Sequence, residues 1–359
     1  KALIYHIFVD RFSPTPGEAW QQTENLADFM GGTLWGVADK LDYIQALGVD
    51  AIWLSPIFPS PTYHGYDATD YQQVSERFGG APALRAVVEG AHARGLKVIL
   101  DFAANHFSNL HPVFVATQND PNSPYREWFT WDDEEVGYGT FFGVASMPQI
   151  QLDHPAARAW MIEQATYWLR EFDIDGFRLD YASGPGPDFW GAFRAACRAI
   201  NPACFMFGEI VEPPHIQHEY LGCLDGALDF YGTALLRDTF AYQRLTEAEF
   251  WARIAPHAPA FGNNFVLPTF LDNHDMNRFM FIAGNDPEMF KRAWQAQLTL
   301  PGPAILYYGN EVGLQQTQST QAIGLEASRV PMVWDEAQQD LALLAFVRQT
   351  IATRKALLR

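Results

Sequence analysis

Four short segments end apolar runs with residues suited to acid–base work: DFAANH at 101–106, GFRLD at 176–180, GEI at 208–210 and FLDNHD at 270–275. Each puts a carboxylate, imidazole or guanidinium at the tip of what reads as a buried strand. Arg178 lies two residues before Asp180, and strand alternation places both on one face. A guanidinium beside a carboxylate favours its ionised form, as a nucleophile requires. Glu209 follows Phe205, Phe207 and Gly208. Apolar neighbours raise a carboxyl pKa, which suits a general acid near neutrality. Taken singly, each residue also has a plain structural reading: an Asp–Arg pair braces a strand end, and a Glu after a strand is often exposed. Their order along the chain argues for one shared site.

The elements that must position them alternate almost end to end, the pattern of βα units. The sequence predicts eight strands: Leu3–Val9, Ala51–Ser55, Lys97–Phe102, Ile174–Leu179, Cys204–Glu209, Leu224–Asp229, Phe265–Leu271 and Ala304–Tyr308. It predicts helices over Val37–Leu47, Ala81–Arg94, Pro155–Phe172, Pro187–Ile200, Tyr231–Tyr242, Glu247–Ala255, Pro287–Leu300 and Glu336–Lys355. Gly48 and Gly95 stand where left-handed helix ends are wanted. In a parallel β/α barrel the catalytic residues sit at strand C-terminal ends. The stretch from His106 to about Leu152 interrupts the rhythm with Pro, Gly, Asn and aromatics, and long loops of this kind are usually functional.

The 359 residues suit a barrel of about 250 residues with insertions. With 48% hydrophobic and 14% aromatic residues the chain has ample core. A formal charge of −18 argues against a nucleic-acid partner, whose phosphates demand basic patches. No run approaches the roughly 18 apolar residues of a membrane span. The surplus of aromatics (11 Trp, 14 Tyr, 27 Phe) is explained mainly by packing, and also suits stacking on sugar faces. Cys197, Cys204 and Cys223 are too few and scattered for a disulfide framework or metal knuckle. Their odd count favours a reducing compartment, hence cytoplasm over secretion. The chain opens at Lys1 without Met and shows no signal-peptide pattern, so its true start and its location stay open. HEXXH, CXXC and Walker signatures are absent.

The order Asp101, Asn105, His106, Arg178, Asp180, Glu209, His274, Asp275 resembles the α-amylase family of glycoside hydrolases. FFGVASMPQIQ is similar to its fifth short motif, in the form of neopullulanase and cyclomaltodextrinase relatives. The likeness runs from IYHIFVDRF to the last helix. It implies a (β/α)8 TIM barrel with a small inserted domain between strand 3 and helix 3. Residues 1–105 and 153–359 would form the barrel and 106–152 the insertion, with no C-terminal β-sandwich visible. It implies retaining hydrolysis of α-1,4-glucans (starch, maltooligosaccharides) through a covalent glycosyl-enzyme intermediate. Asp180 would be the nucleophile, Glu209 the general acid and base, and Asp275 the support of the charged transition state.

By the same resemblance, Tyr66 of HGYDATDY stacks under the −1 sugar, His106 and His274 bind its hydroxyls, and Arg329 of SRVPMVW binds the −2 sugar. Asp101 orients Arg178 or its neighbours, and Asn105 is the candidate ligand of a structural Ca²⁺; no cofactor is otherwise required. YYGNEVG at 307–313 resembles the turn after the eighth strand. The alternative is an α-glucanotransferase on the same scaffold; more remote are an isomerising relative such as a trehalose synthase and a non-catalytic carbohydrate-binding protein. Three departures stand out. Ser183 and Gly184 replace a Lys-His pair that lines acceptor subsites and joins the calcium shell. DRFSPTPGEAW lacks the Asn/Asp cluster of a second calcium site, and Leu325 replaces an Asp four residues before Arg329. Weak calcium binding, a thin acceptor side and a rearranged −2 subsite are the expectations.

Overall fold

The computed structural model describes residues 2–131 and 136–357. Its strands are β1 (Leu3–Ile7), β2 (Ala51–Leu54), β3 (Lys97–Ala103), β4 (Thr140–Phe141), β5 (Val144–Pro148), β6 (Gly176–Asp180), β7 (Phe205–Gly208), β8 (Gly226–Ala227), β9 (Thr269–Phe270) and β10 (Ala304–Tyr307). Eight pair in parallel in the order β8-β7-β6-β3-β2-β1-β10-β9, while β4 and β5 form a separate antiparallel hairpin. A bridge between Gly226 and Val266 brings the two ends of the sheet together. There the Ala227 N–H donates to the Val266 carbonyl (3.1 Å) and the Val266 N–H to the Asp225 carbonyl (2.9 Å). The predicted (β/α)8 barrel is therefore present. Its sixth and seventh strands are shorter than expected. Pro268 lacks the N–H that would extend the ladder there, although its carbonyl still accepts from the Asp229 N–H (2.9 Å).

Period-2 alternation decides what faces the barrel axis. Ile4, Ala51, Trp53, Ile99, Phe207, Leu228, Phe270 and Ile305 fill the interior, while Leu3, Tyr5, Ile7, Ile52, Leu54, Val98 and Leu100 pack outward against helices. Asp101, two residues beyond Ile99, and Glu209, two beyond Phe207, continue the inward rows to the strands' C-terminal ends. The helices appear where predicted, with local differences. The first breaks at Lys40 into Leu34–Asp39 and Leu41–Leu47, and starts early because the Thr33 side chain accepts from the Gly36 N–H. Gly48 ends the second piece in a left-handed conformation (φ 85°).

The predicted irregular interval holds a short helix (Pro112–Gln118), a 3-10 turn (Arg126–Trp128) and the β4–β5 hairpin; residues 132–135 lie outside the described residues. It is tied to the barrel through the Asn105 carbonyl, which accepts from the Ile150 N–H (3.0 Å), and through the Ala68 carbonyl, which accepts from the Ser108 N–H (3.0 Å). No helix among the described residues is long and apolar enough to cross a membrane.

Candidate active site

One guanidinium organises the floor. Arg178 Nη1 donates to Asp101 Oδ1 (2.9 Å) and Asp180 Oδ1 (2.7 Å), while Nη2 lies 2.9 Å from Glu209 Oε2. Three distant strand ends, on β3, β6 and β7, thus converge on one cation. Asp101 is held from its other oxygen by Trp53 Nε1 and the Tyr66 hydroxyl, both at 3.0 Å. Trp53 carries no motif signature; only its place at an inward position of β2 gives it away.

One electrostatic expectation needs correcting. Burial pushes the Asp180 carboxyl well above the usual carboxylate range; Arg178 pulls it down, and Glu209 and Asp101 push it up again. Desolvation is the largest of these effects, and one positive charge divided among three carboxylates does not offset it. Besides meeting Arg178, the Glu209 carboxylate accepts from the Tyr181 backbone N–H (3.0 Å). That contact had no signal in the sequence, since it depends on a left-handed Tyr181 (φ 39°).

Asp275 has the opposite surroundings. Its oxygens lie 3.0 Å from His274 Nε2 and 2.9 Å from Arg329 Nη2. Burial alone would raise its pKa, but His274, Arg329 and Arg178 together hold it well below the usual range. Arg329 also donates to the His274 carbonyl (2.7 Å) and the Tyr63 hydroxyl (2.8 Å), so each of its three nitrogens has a partner within the protein. Glu326, one place after the altered Leu325, accepts from Tyr63 (3.0 Å). The Tyr66 ring stacks on His274 (5.4 Å, 9° between planes) and shares its hydroxyl with His274 Nε2 (2.7 Å).

His106 is fully buried and stacks on Phe141 (4.3 Å). Asn105 Nδ2 faces its Nδ1 at 3.3 Å, and burial, with His64 adding, lowers its pKa to about 3. With Asn105 donating to Nδ1, the neutral ring carries its proton on Nε2, a buried atom without a hydrogen-bond partner among the described residues, in a residue that lines the cleft.

The same neighbourhood tests calcium. Asn105 Oδ1 accepts from Gln149 Nε2 (3.1 Å), and a Cβ at Gly184 would fall 2.2 Å from that oxygen. An amide donor and close-packed backbone stand where a cation would need space. Among the described residues no three His, Cys, Asp or Glu side chains converge as metal ligands. The residues present do not fit the calcium role considered for Asn105. They also explain Gly184: any side chain there collides with Asn105.

These groups open onto one cleft of about 760 Å³, lined by Tyr66, His106, Asp180, Glu209, Asp275 and Arg329. Ser183 lines it too, its hydroxyl on Glu212 (2.5 Å), as do Tyr181, Phe141, Phe142 and Met147. Beside Ser183 the bulk of the lining comes from the hairpin and from Tyr181. A cavity of similar size between the helices Pro287–Thr299 and Leu341–Leu357 holds none of the carboxylate trio.

Comparison with known proteins agrees with this geometry. The alpha amylase catalytic domain family matches residues 6–343. Alpha-amylase 2 of Dictyoglomus thermophilum is 40% identical over 99% of this chain and 63% of its own length. A cyclomaltodextrinase of Geobacillus thermopakistaniensis is 33% identical over 98% of this chain and 61% of its own. Among solved structures, a cyclomaltodextrinase superposes with a TM-score of 0.89 at 31% identity, covering 99% of this chain and 63% of that one. A cyclic alpha-maltosyl-(1→6)-maltose hydrolase from Arthrobacter globiformis, solved with that sugar, gives 0.88 at 28% identity, covering 98% and 81%. The chain spans a little over 60% of the length of the two curated relatives. With matching strand-end chemistry, barrel and sequence along nearly its whole length, the chain belongs to the alpha-amylase catalytic domain family.

Proposed function

We propose that this domain is a retaining glycoside hydrolase acting on α-1,4-linked glucans, starch and maltooligosaccharides among them. The observation that carries the reading is that Asp180 and Glu209 lean on the two terminal nitrogens of one guanidinium, with Asp275 lining the same cleft. Retaining pairs stand about 5–5.5 Å apart, inverting pairs about 6.5–9.5 Å, and a shared guanidinium favours the closer class. Glu209 protonates the leaving oxygen while Asp180 attacks the anomeric carbon, giving a glycosyl ester. Glu209 then takes a proton from water, whose oxygen displaces Asp180.

Asp275, held ionised by His274 and Arg329, supports the positive charge that develops on the sugar. Arg329 holds Asp275 and, lining the same cleft, keeps two further N–H donors, which the resemblance assigns to the −2 sugar. Neutral His106 offers Nε2–H to a hydroxyl, His274 flanks the same ring, and Tyr66 supplies its stacking floor. Asp101 fixes Arg178, and Asn105 holds the 106–152 insertion, which forms one wall, against Gly184. The substrate class is supported by the names of the relatives, alpha-amylase and cyclomaltodextrinase. No cofactor takes part in these steps, and the three free thiols suit a cytoplasmic location.

The test is incubation with soluble starch and with maltotriose to maltoheptaose, following reducing ends and the anomer first released. Reducing ends with the α-anomer first are expected. Absence of turnover, or the β-anomer first, overturns the reading.

A further inference from the structure

Under the floor lies a histidine that no step above uses. His6, on β1, continues the inward row from Ile4 and pairs in register with Trp53 on β2 and Tyr307 on β10. Its ring lies flat on the Trp53 indole (3.6 Å, 7° between planes) and beside the Tyr307 ring (4.9 Å). His274 stands nearly perpendicular to it (5.1 Å, 78°).

His6 is fully buried, yet neither of its ring nitrogens has a hydrogen-bond partner among the described residues. The same holds for His274 Nδ1 and for the Tyr307 hydroxyl. Burial first, then His274 and Arg178, push the His6 pKa well below the usual imidazole range. The ring is therefore neutral, with one N–H and one lone pair to satisfy. Left unpaired in the interior, each would cost its full desolvation.

Packing does not ask for an imidazole here. The layer beneath is apolar, built of Ile4, Ala51 and Ile305, and a phenylalanine could stack on Trp53 as well. The nearby donors are committed elsewhere: Trp53 Nε1 to Asp101, and the Tyr66 hydroxyl to Asp101 and His274 Nε2. Four unpartnered atoms on three adjoining rings suit one internal water, which offers two hydrogens and two lone pairs. What such a bridge steadies is His274. Its Nε2 already meets Tyr66 (2.7 Å) and Asp275 (3.0 Å). A second anchor at Nδ1 fixes the plane of the ring, and with it the Asp275 carboxylate.

We propose that His6 and Tyr307 bind an internal water against His274 Nδ1, which makes His6 a positioning residue for Asp275; this rests on the function proposed above. His6 touches no sugar. The bridge counts when positive charge develops on the sugar, because Asp275 must then keep its place. Its loss therefore falls on kcat and not on KM.

The experiment compares wild type with His6→Gln and His6→Phe on maltoheptaose, well below each melting transition. Glutamine supplies a donor and an acceptor without the ring; phenylalanine keeps the ring without either. His6→Phe is expected to lower kcat by about tenfold with KM unchanged, the rate equivalent of one net hydrogen bond. His6→Gln is expected to keep nearly the wild-type kcat. A purely packing role predicts the reverse order. A crystal structure of the wild-type domain, at a resolution that shows ordered water, should place one within hydrogen-bond reach of His6, Tyr307 and His274 Nδ1. That measurement needs neither variant to fold. The proposal falls, and the hydrolase reading stands, if His6→Phe turns over like wild type or changes KM alone. It falls equally if His6→Gln is as slow as His6→Phe, or if no water density appears there. A wild type without turnover overturns both.

Discussion

On the floor of the cleft Asp101, Asp180 and Glu209 stand at the ends of β3, β6 and β7, locked to Arg178 by contacts of 2.7–2.9 Å. On its wall Phe142 stands at the tip of a two-residue turn, strained and 73% exposed. The floor is anchored by paired strands that cannot shift without breaking the barrel, so reacting groups keep their geometry. The wall is the outer tip of an insertion whose base packs into the barrel core through Phe107, Phe114 and Trp128 and is hydrogen-bonded at Asn105 and Gln149. Reaction type is set where the scaffold is stiffest, and choice of partner where sequence can change cheaply.

The sharpest break in this comparison is a change on the floor. Asp180→Asn leaves nearly the same shape but cannot form the ester, so turnover should fall by about three orders of magnitude or more, with the melting transition retained. Residual activity near wild type on maltotriose would remove Asp180 as the nucleophile.

Where floor and wall meet, Gly184→Ala places a methyl 2.2 Å from Asn105 Oδ1. Overpacking at such a contact costs about 1–3 kcal/mol. Urea unfolding should show that loss, together with a higher KM as the wall shifts. A variant as stable as wild type would mean the join is loose.

Within the wall, burial lowers His111 to about 4, with Asp70 opposing, and its Nδ1 accepts from the Val113 N–H (3.2 Å). The folded ring is thus neutral while the unfolded imidazole, near 6.5, binds a proton. Between those values the unfolded state holds more protons, so stability falls as pH drops from about 6.5 towards 4 and does not change above that window. His111→Asn, which can still cap the helix, should flatten the decline by about 1.4 kcal/mol per pH unit at most. Parallel melting curves at pH 5 and pH 7 measure the difference.

The smallest effect is expected from EDTA. With Gln149 donating to Asn105 and Gly184 packed over it, chelation should change neither the melting temperature nor the rate on starch. A marked drop in either would restore a calcium site to this junction.

Much of this was legible from residues alone, because a barrel's inward rows follow period 2 and its catalytic tips follow the apolar runs. Asp180 next to Arg178, Glu209 after Phe207, and His274–Asp275 could be found by counting along strands. The eight βα units followed from the same alternation. What counting could not supply was the balance of forces. From the sequence Arg178 serves Asp180, with Asp101 orienting it by resemblance; folded, it also meets Glu209, and burial reverses the direction of the Asp180 shift. Nor could the sequence show that Arg329 is engaged on Asp275, His274 and Tyr63, or that Gly184 is required by Asn105. Least visible was the meeting of the Phe142 and Tyr181 rings, since a positive φ in a non-glycine residue is imposed by the turn and contacts around it. Pattern determined which residues reach the cleft; desolvation, shared partners and backbone strain arise only between segments distant in sequence, and only the tertiary structure decides them.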